Sequence, residues 1–421
     1  MKGRTALALL SLLIFVSMTR LTTTHVNAAT VWIVNSNNIG GFSRIQDAIE
    51  AASEGDTVRV MAGTYYEHVV VQKSVSLIGE NSSTTIINGS GEGTAVSVNA
   101  SNIVVQGFTL ANSGNGVYVT KAFNCTVQSN NVRNNKDRGI IISMSQNCTV
   151  LDNYVEGTWQ GYGLNVNASE RVLVKDNAAI NNYFDGIGFF SSTSSEVVGN
   201  TVSENRLFGM VVDYQSDKNL IYSNNFFSNG KQVASSNPTN SWNHESHGNY
   251  WEDYAGTDSD GDGIGDAPFT VDEESQQEDA YPLIRPYVNE IYLRVDTKPP
   301  IAAFTFSPSP LFENETLNLD ASSTSDSVGK NAIVSYDWNF GDGTLGSGLT
   351  VDHRYENPGN FTVILTVTDV AGNENVTSMD VHVVARDSGE APFLVTGAVV
   401  TAILVVSAAI AVWGWQRKRK V

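Results

Sequence analysis

Between Asn102 and about Gly230 the sequence returns to one pattern every 23 or 24 residues, and no other feature restricts the fold as tightly. Two columns set the register. One is Asn130, Asn153, Asn177, Asn200 and Asn224, with Gly107 in the slot before the first. The other is Gly116, Gly139, Gly163, Gly186 and Gly209. A fixed period of this length marks a solenoid, each repeat being one coil stacked on its neighbours.

The pattern inside a repeat identifies the coil. Three residues before the Asn column stand Val104, Val127, Val150, Val174, Val197 and Ile221. The first position after the Gly column reads Val117, Ile140, Leu164, Ile187 and Met210, and the third reads Val119, Ile142, Val166, Phe189 and Val212. Apolar alternation of period two means short strands, and 23 residues suit three strands and three turns. Stacked in register, such coils form a parallel β-helix. The Asn column is then an amide ladder, because each side chain can donate to one neighbouring coil and accept from the other. Asn112, Asn135, Asn182, Asn205 and Asn229 predict a second ladder, interrupted by Thr158. The glycines are expected at turns that require a positive φ.

Both ends of the chain differ from its body. Lys2 and Arg4 precede an apolar run from Ala6 to Val16 and a small-residue stretch ending at Ala29, the layout of a secretory signal over 1–29. From Ala391 to Trp415 there is no charge, and the stretch is long enough for one transmembrane helix. Trp413 and Trp415 sit as interface anchors, and the basic tail 416–421 (Arg417 to Lys420) is expected on the cytoplasmic side, with the bulk outside. Seven of the 25 basic residues lie in these ends and all 44 acidic ones lie between, so the body carries 18 − 44 = −26. Such a surface excludes nucleic acid as a partner, which needs clustered Lys and Arg. Asn-x-Ser/Thr acceptors stand at Asn81, Asn88, Asn99, Asn124, Asn147, Asn167, Asn314, Asn360 and Asn375.

Ser43 to Ala52 has apolar residues at helical spacing, with Ser43 as N-cap, and reads as a cap over the open end of the solenoid. The run from Ile45 to Glu80 (IQDAIEAASEGDTVRVMAGTYYEHVVVQKSVSLIGE) resembles the entry of pectin-lyase-like right-handed β-helices, particularly the NosD type. Asn249-Tyr250-Trp251-Glu252-Asp253-Tyr254, the Asp-rich loop 258–266 and Asp279-Ala280-Tyr281-Pro282-Leu283 resemble that family's end. The β-helix is therefore expected over 30–290. After a linker at 291–299, residues 300–385 show alternating apolar strands. Tyr336 to Thr344 (YDWNFGDGT), then His353-Arg354-Tyr355 and Gly359 to Val363, are similar to the PKD domain, a small immunoglobulin-like β-sandwich that implies a spacer or binding platform. The predicted class is all-β, with a right-handed parallel β-helix, a PKD sandwich and one C-terminal membrane helix.

Three sets of residues carry candidate chemistry. Asp258, Asp260, Asp262 and Asp266, interleaved with glycines, place hard oxygens around one cation, which suits structural calcium. The twelfth position of such a loop is Phe269 and not the usual Glu, so Asp272 or Glu273 would have to help. His244 and His247 flank Glu245 and could hold a transition metal, and the NosD resemblance raises copper, yet with no Met or Cys close in sequence they read first as exposed loop histidines. Cys125 and Cys148 occupy the same slot in successive coils, open to a disulfide or to two stacked thiols.

For catalysis, related folds need clustered carboxylates on an outer face, whereas the outward column Thr120, Ser143, Asn167, Phe190 and Asp213 holds one. Asp185 stands in a turn before a strand. Tyr118, Trp159, Tyr162, Tyr183, Phe190 and Tyr214 offer flat faces for sugars. The sequence thus reads as an exported, membrane-anchored surface protein that binds carbohydrate or another envelope component, without catalysis. The rivals are a polysaccharide lyase or hydrolase using Asp185 and Asp213, and a copper-handling accessory protein using His244 and His247.

Overall fold

The computed structural model describes residues 29–37 and 40–386. The expected signal segment up to residue 28, the stretch 391–415 and the basic tail fall outside them, and among the described residues no helix is long and apolar enough to cross a membrane. Three parallel sheets of nine, nine and eight strands wrap one apolar core. In a central coil the chain passes through Thr126–Gln128 on the first face, Asn131–Arg133 on the second and Arg138–Ser143 on the third. Each strand pairs in register with its counterparts one coil before and one coil after. The predicted columns from Val127 to Ile221 and from Val117 and Val119 onward all point inward. So do Val132, Val155, Ala179, Val202 and Phe226 on the second face.

The first central coil departs from the predicted register by one residue. It is 22 residues long, so Val105 and not Val104 pairs with Val127, and Phe108 and not Gly107 sits level with Asn130. By the same slip Ser113, not Asn112, stands beneath Asn135. From Asn130 onward the ladder is continuous. Each Nδ2 donates to the Oδ1 one coil on, at 2.9–3.0 Å, through Asn153, Asn177, Asn200 and Asn224 to Asn249. The second ladder runs Asn182, Asn205, Asn229 and ends on Gln232. The glycine column serves proximity rather than a positive φ: a Cβ on Gly139 would lie 2.3 Å from Val155 and 2.5 Å from the carbonyl of Gly163.

Both ends of the solenoid are closed. Helix α1 (Ile45–Ala51) buries Ile45, Ala48 and Ile49 over the first coil. Its N-terminal amides are capped by Glu67, which accepts from Ile45 and Gln46, and not by Ser43. At the other end Phe226, Trp251 and Phe269 stack at 4.8 and 4.7 Å. Buried Asp279 accepts from Asn249 and from the Trp251 indole.

Part of the predicted linker is helical. Helix α2 (Glu290–Val295) lies along the solenoid with Ile291 and Tyr292 buried. Beyond it, a three-stranded and a five-stranded sheet enclose Leu317, Trp338, Val363 and Leu365. The two domains share a buried cluster of Phe227, Tyr250, Tyr292, Val328 and Ala332. The Tyr250 hydroxyl donates across the junction to the carbonyl of Val328 at 3.0 Å.

Candidate functional site

The corner between the second and third faces and the ledge beside it gather four of the six predicted aromatics, Trp159, Tyr183, Tyr162 and Phe190. Backbone hydrogen bonds place Lys136, Trp159, Tyr183 and Arg206 in one turn slot of four successive coils, about 4.8 Å apart. Trp159 is 62% exposed and Tyr183 41%, and the Arg206 guanidinium lies 4.5 Å over the Tyr183 ring. Asn134, Thr158, Asn181 and Asn182 complete an open groove of about 420 Å³ whose lining contains no carboxylate. Residue type alone does not single out Arg206 and Lys136, yet the 23–24-residue period places them beside Trp159 and Tyr183.

A ledge continues round the corner. Tyr183 packs on Phe184, Phe184 on Tyr162 and Tyr162 on Phe190, at 5.2, 6.2 and 5.4 Å. Arg138 stands 5.8 Å from the Tyr162 ring on one side. Tyr118 is half-buried, and Tyr214, at 70% exposure, belongs to neither the groove nor the ledge.

Asp185 borders the ledge, buried, with Oδ1 accepting from the Phe208 amide at 3.1 Å. Burial pushes its carboxyl up to about 6, against the pull of that hydrogen bond. Asp213 accepts from the Ser191 amide and the Ser216 hydroxyl, so it braces its own turn. Strand register sets Asp185 level with Phe208, and Asp213 lies five residues further along. Roughly 16 Å of extended chain separates them, beyond the roughly 5–9.5 Å of paired glycosidase carboxylates. The structure does not assemble these two into one site.

In the Asp-rich loop, oxygens of Asp258, Asp260 and Asp262 lie within 4.8 Å of one another. Asp258 accepts the amides of Gly261, Asp262 and Gly263, and Gly261 and Gly263 adopt φ of +77° and +87°, which lets the chain wrap this tightly. Asp266 is held apart. Its Oδ2 accepts from Ser259 and Thr257, and the Ser259 hydroxyl, first among its partners, keeps the carboxyl below its usual value. Asp272 caps its own turn through Ser275, leaving the three-oxygen cluster without a fourth acidic ligand from that position. Cys125 and Cys148 are buried free thiols in neighbouring coils.

Two family models account for most of the described chain. Residues 49–256 match the model described as periplasmic copper-binding protein (NosD), and residues 297–384 match a PKD domain. The solenoid is a NosD-type domain, and a PKD domain follows it. Relatives include a cell surface glycoprotein of Methanothermus fervidus, 30% identical over 204 residues, 46% of this chain and 32% of that protein. Collagenase ColA of Clostridium perfringens is 36% identical over 78 residues, 18% of this chain and 7% of the collagenase. The chain thus spans a third or less of these curated relatives. Among solved structures, an alginate lyase from Paenibacillus covers 52% of this chain and 76% of its own, with a TM-score of 0.36 and 13% identity.

The NosD description raises copper, and the residues of this domain do not fit it at the predicted place. His244 and His247 exchange backbone hydrogen bonds across a tight turn, and the His244 ring packs on Tyr222 at 5.2 Å. Among the described residues the one cluster of three metal-ligating side chains is Asp258, Asp260 and Asp262, whose hard oxygens suit calcium or magnesium and not copper.

Proposed function

We propose that this is an exported, membrane-anchored surface protein whose NosD-type domain binds carbohydrate through the corner groove, with the PKD domain holding it away from the membrane. The observation that carries the reading is the exposed pair Trp159 and Tyr183, repeated in one turn slot with Arg206 beyond it. Flat apolar rings beside carboxamides suit a pyranose, whose axial C–H faces stack on the ring while its hydroxyls reach Asn134 and Asn181. The glycoprotein relative supports the surface location, and the apolar stretch 391–415 with its basic tail supports the anchor. Calcium in the Asp258–Asp262 cluster serves structure in this reading, keeping the end of the solenoid ordered.

The test is titration of the whole chain with neutral, amino-sugar and uronic-acid oligosaccharides, followed by tryptophan fluorescence. Binding to at least one class, weakened by about tenfold or more in Trp159→Ala with Tyr183→Ala, supports the reading. No binding, or binding that the double variant leaves unchanged, sinks it. Cleavage of the uronic-acid polymer during the titration would favour the lyase or hydrolase instead.

A further inference from the structure

One apolar patch on the NosD-type domain has no part in the corner groove. Phe123 and Met144 are exposed by 52% and 49% on adjoining coils, at the corner between the third and first faces. They flank an open groove of about 480 Å³ completed by Lys121, Ala122, Gln146 and two glycosylation acceptors, Asn124 and Asn147. We propose that this patch is the seat of the protein's own N-linked glycan, carried on Asn147, whose first sugars lie over Met144 and Phe123.

The choice between the two acceptors follows from their hydrogen bonds. Asn124 and Asn147 stand in the same slot of successive coils, both in the left-handed region at φ of 54° and 52°. The Asn124 amide is engaged, its Nδ2 donating to Asn102 at 3.2 Å. In Asn147 it is Oδ1 that is engaged, accepting from Arg171 Nε at 2.7 Å, and among the described residues no acceptor takes its Nδ2. In the transfer, Nδ2 forms a bond to the anomeric carbon of a glycosyl donor with a phosphate leaving group. The bond from that carbon to the phosphate oxygen breaks, and the amide gives up one proton. Neighbouring slots are about 4.8 Å apart, less than the width of a sugar ring, so a glycan on Asn147 blocks one on Asn124. The apolar groove then gains a cover of C–H faces, and an exposed patch on a surface protein is kept from pairing with other molecules.

Glycopeptide mass spectrometry on protein isolated from its own cells tests the acceptor, and oxidative footprinting of Met144 tests the seat. The expected result is a glycan on Asn147 with Asn124 bare on the same chains. Met144 is expected to oxidise at least threefold faster in the enzymatically deglycosylated protein and in Asn147→Gln. A bare Asn147, whether glycans occupy other acceptors or none at all, overturns the proposal. A glycan on Asn147 that leaves Met144 oxidation at the Asn147→Gln rate overturns the seat. Tryptophan fluorescence of the Asn147→Gln protein reports whether that variant is folded.

Discussion

The side-chain amide of Asn249 points at the carboxylate of Asp279, 3.3 Å away, and there the buried chain of amides that begins at Asn130 stops. Every amide in the ladder both donates and accepts, and the last has no further Asn Oδ1 to receive its Nδ2. That Nδ2 donates to the carbonyls of Trp242 and Ile221 at 2.7 and 3.1 Å and faces Asp279 as well. An ionised carboxylate only accepts. Asp279 takes the Asn249 side chain, the Asn249 backbone amide and the Trp251 indole on one oxygen, and the Tyr281 amide on the other.

Polarity along the ladder makes substitutions unequal. Asn177→Asp turns a donor to Asn200, Val150 and Lys175 into a group that repels all three. It is expected to cost about 3 kcal/mol or more. Asp279→Asn keeps one accepting oxygen and is expected to cost less than half of that. Urea unfolding followed by far-UV circular dichroism ranks the two, and equal losses would contradict a directional ladder.

Stability should also depend on pH at the domain junction. Burial, first, and the neighbouring Asp369 and Asp326 raise the Asp296 carboxyl to about 6, opposed by the Tyr292 hydroxyl and one backbone amide. Because the folded protein holds this proton more tightly than the unfolded chain, stability is greater at low pH and declines as pH rises from about 4 to about 6. Asp296→Asn is therefore expected to raise the melting temperature by a few degrees at pH 8 and to leave it unchanged at pH 4. A gain of the same size at both values would refute the assignment.

Calcium should stabilise the chain through the Asp258–Asp262 cluster. At a hundredfold excess over its dissociation constant, a ligand of the folded state adds about 2.7 kcal/mol. Thermal melts with calcium and with chelator measure the shift, which Asp260→Ala with Asp262→Ala should remove while Asp266→Ala leaves much of it. An equal shift in the double variant would place the ion elsewhere.

The fold is legible in the sequence because periodicity forces it: a column such as Asn153, Asn177 and Asn200 keeps phase only if coils stack. The register slips where the sequence is ambiguous, since Val104 and Val105 are both valine and only one faces inward. Asp279 cannot be recognised as the ladder's end, because 30 residues separate it from Asn249 and nothing local marks a carboxylate as a terminal acceptor. The corner groove is half visible. Trp159 and Tyr183 are readable as exposed rings, whereas Arg206 joins them only through turn geometry. Helix α2 reads as linker because six residues are too few to show a period, and contact with the solenoid's second face holds it.

The cluster of Phe227, Tyr250, Tyr292, Val328 and Ala332 has a mechanical side. A swivel between the two domains would dissipate a sideways pull, but this joint is packed apolar and latched by the Tyr250 hydroxyl. A pull on the PKD domain is therefore passed to the closing coils of the solenoid, through Tyr250 and, one residue before it, the last amide of the ladder at Asn249.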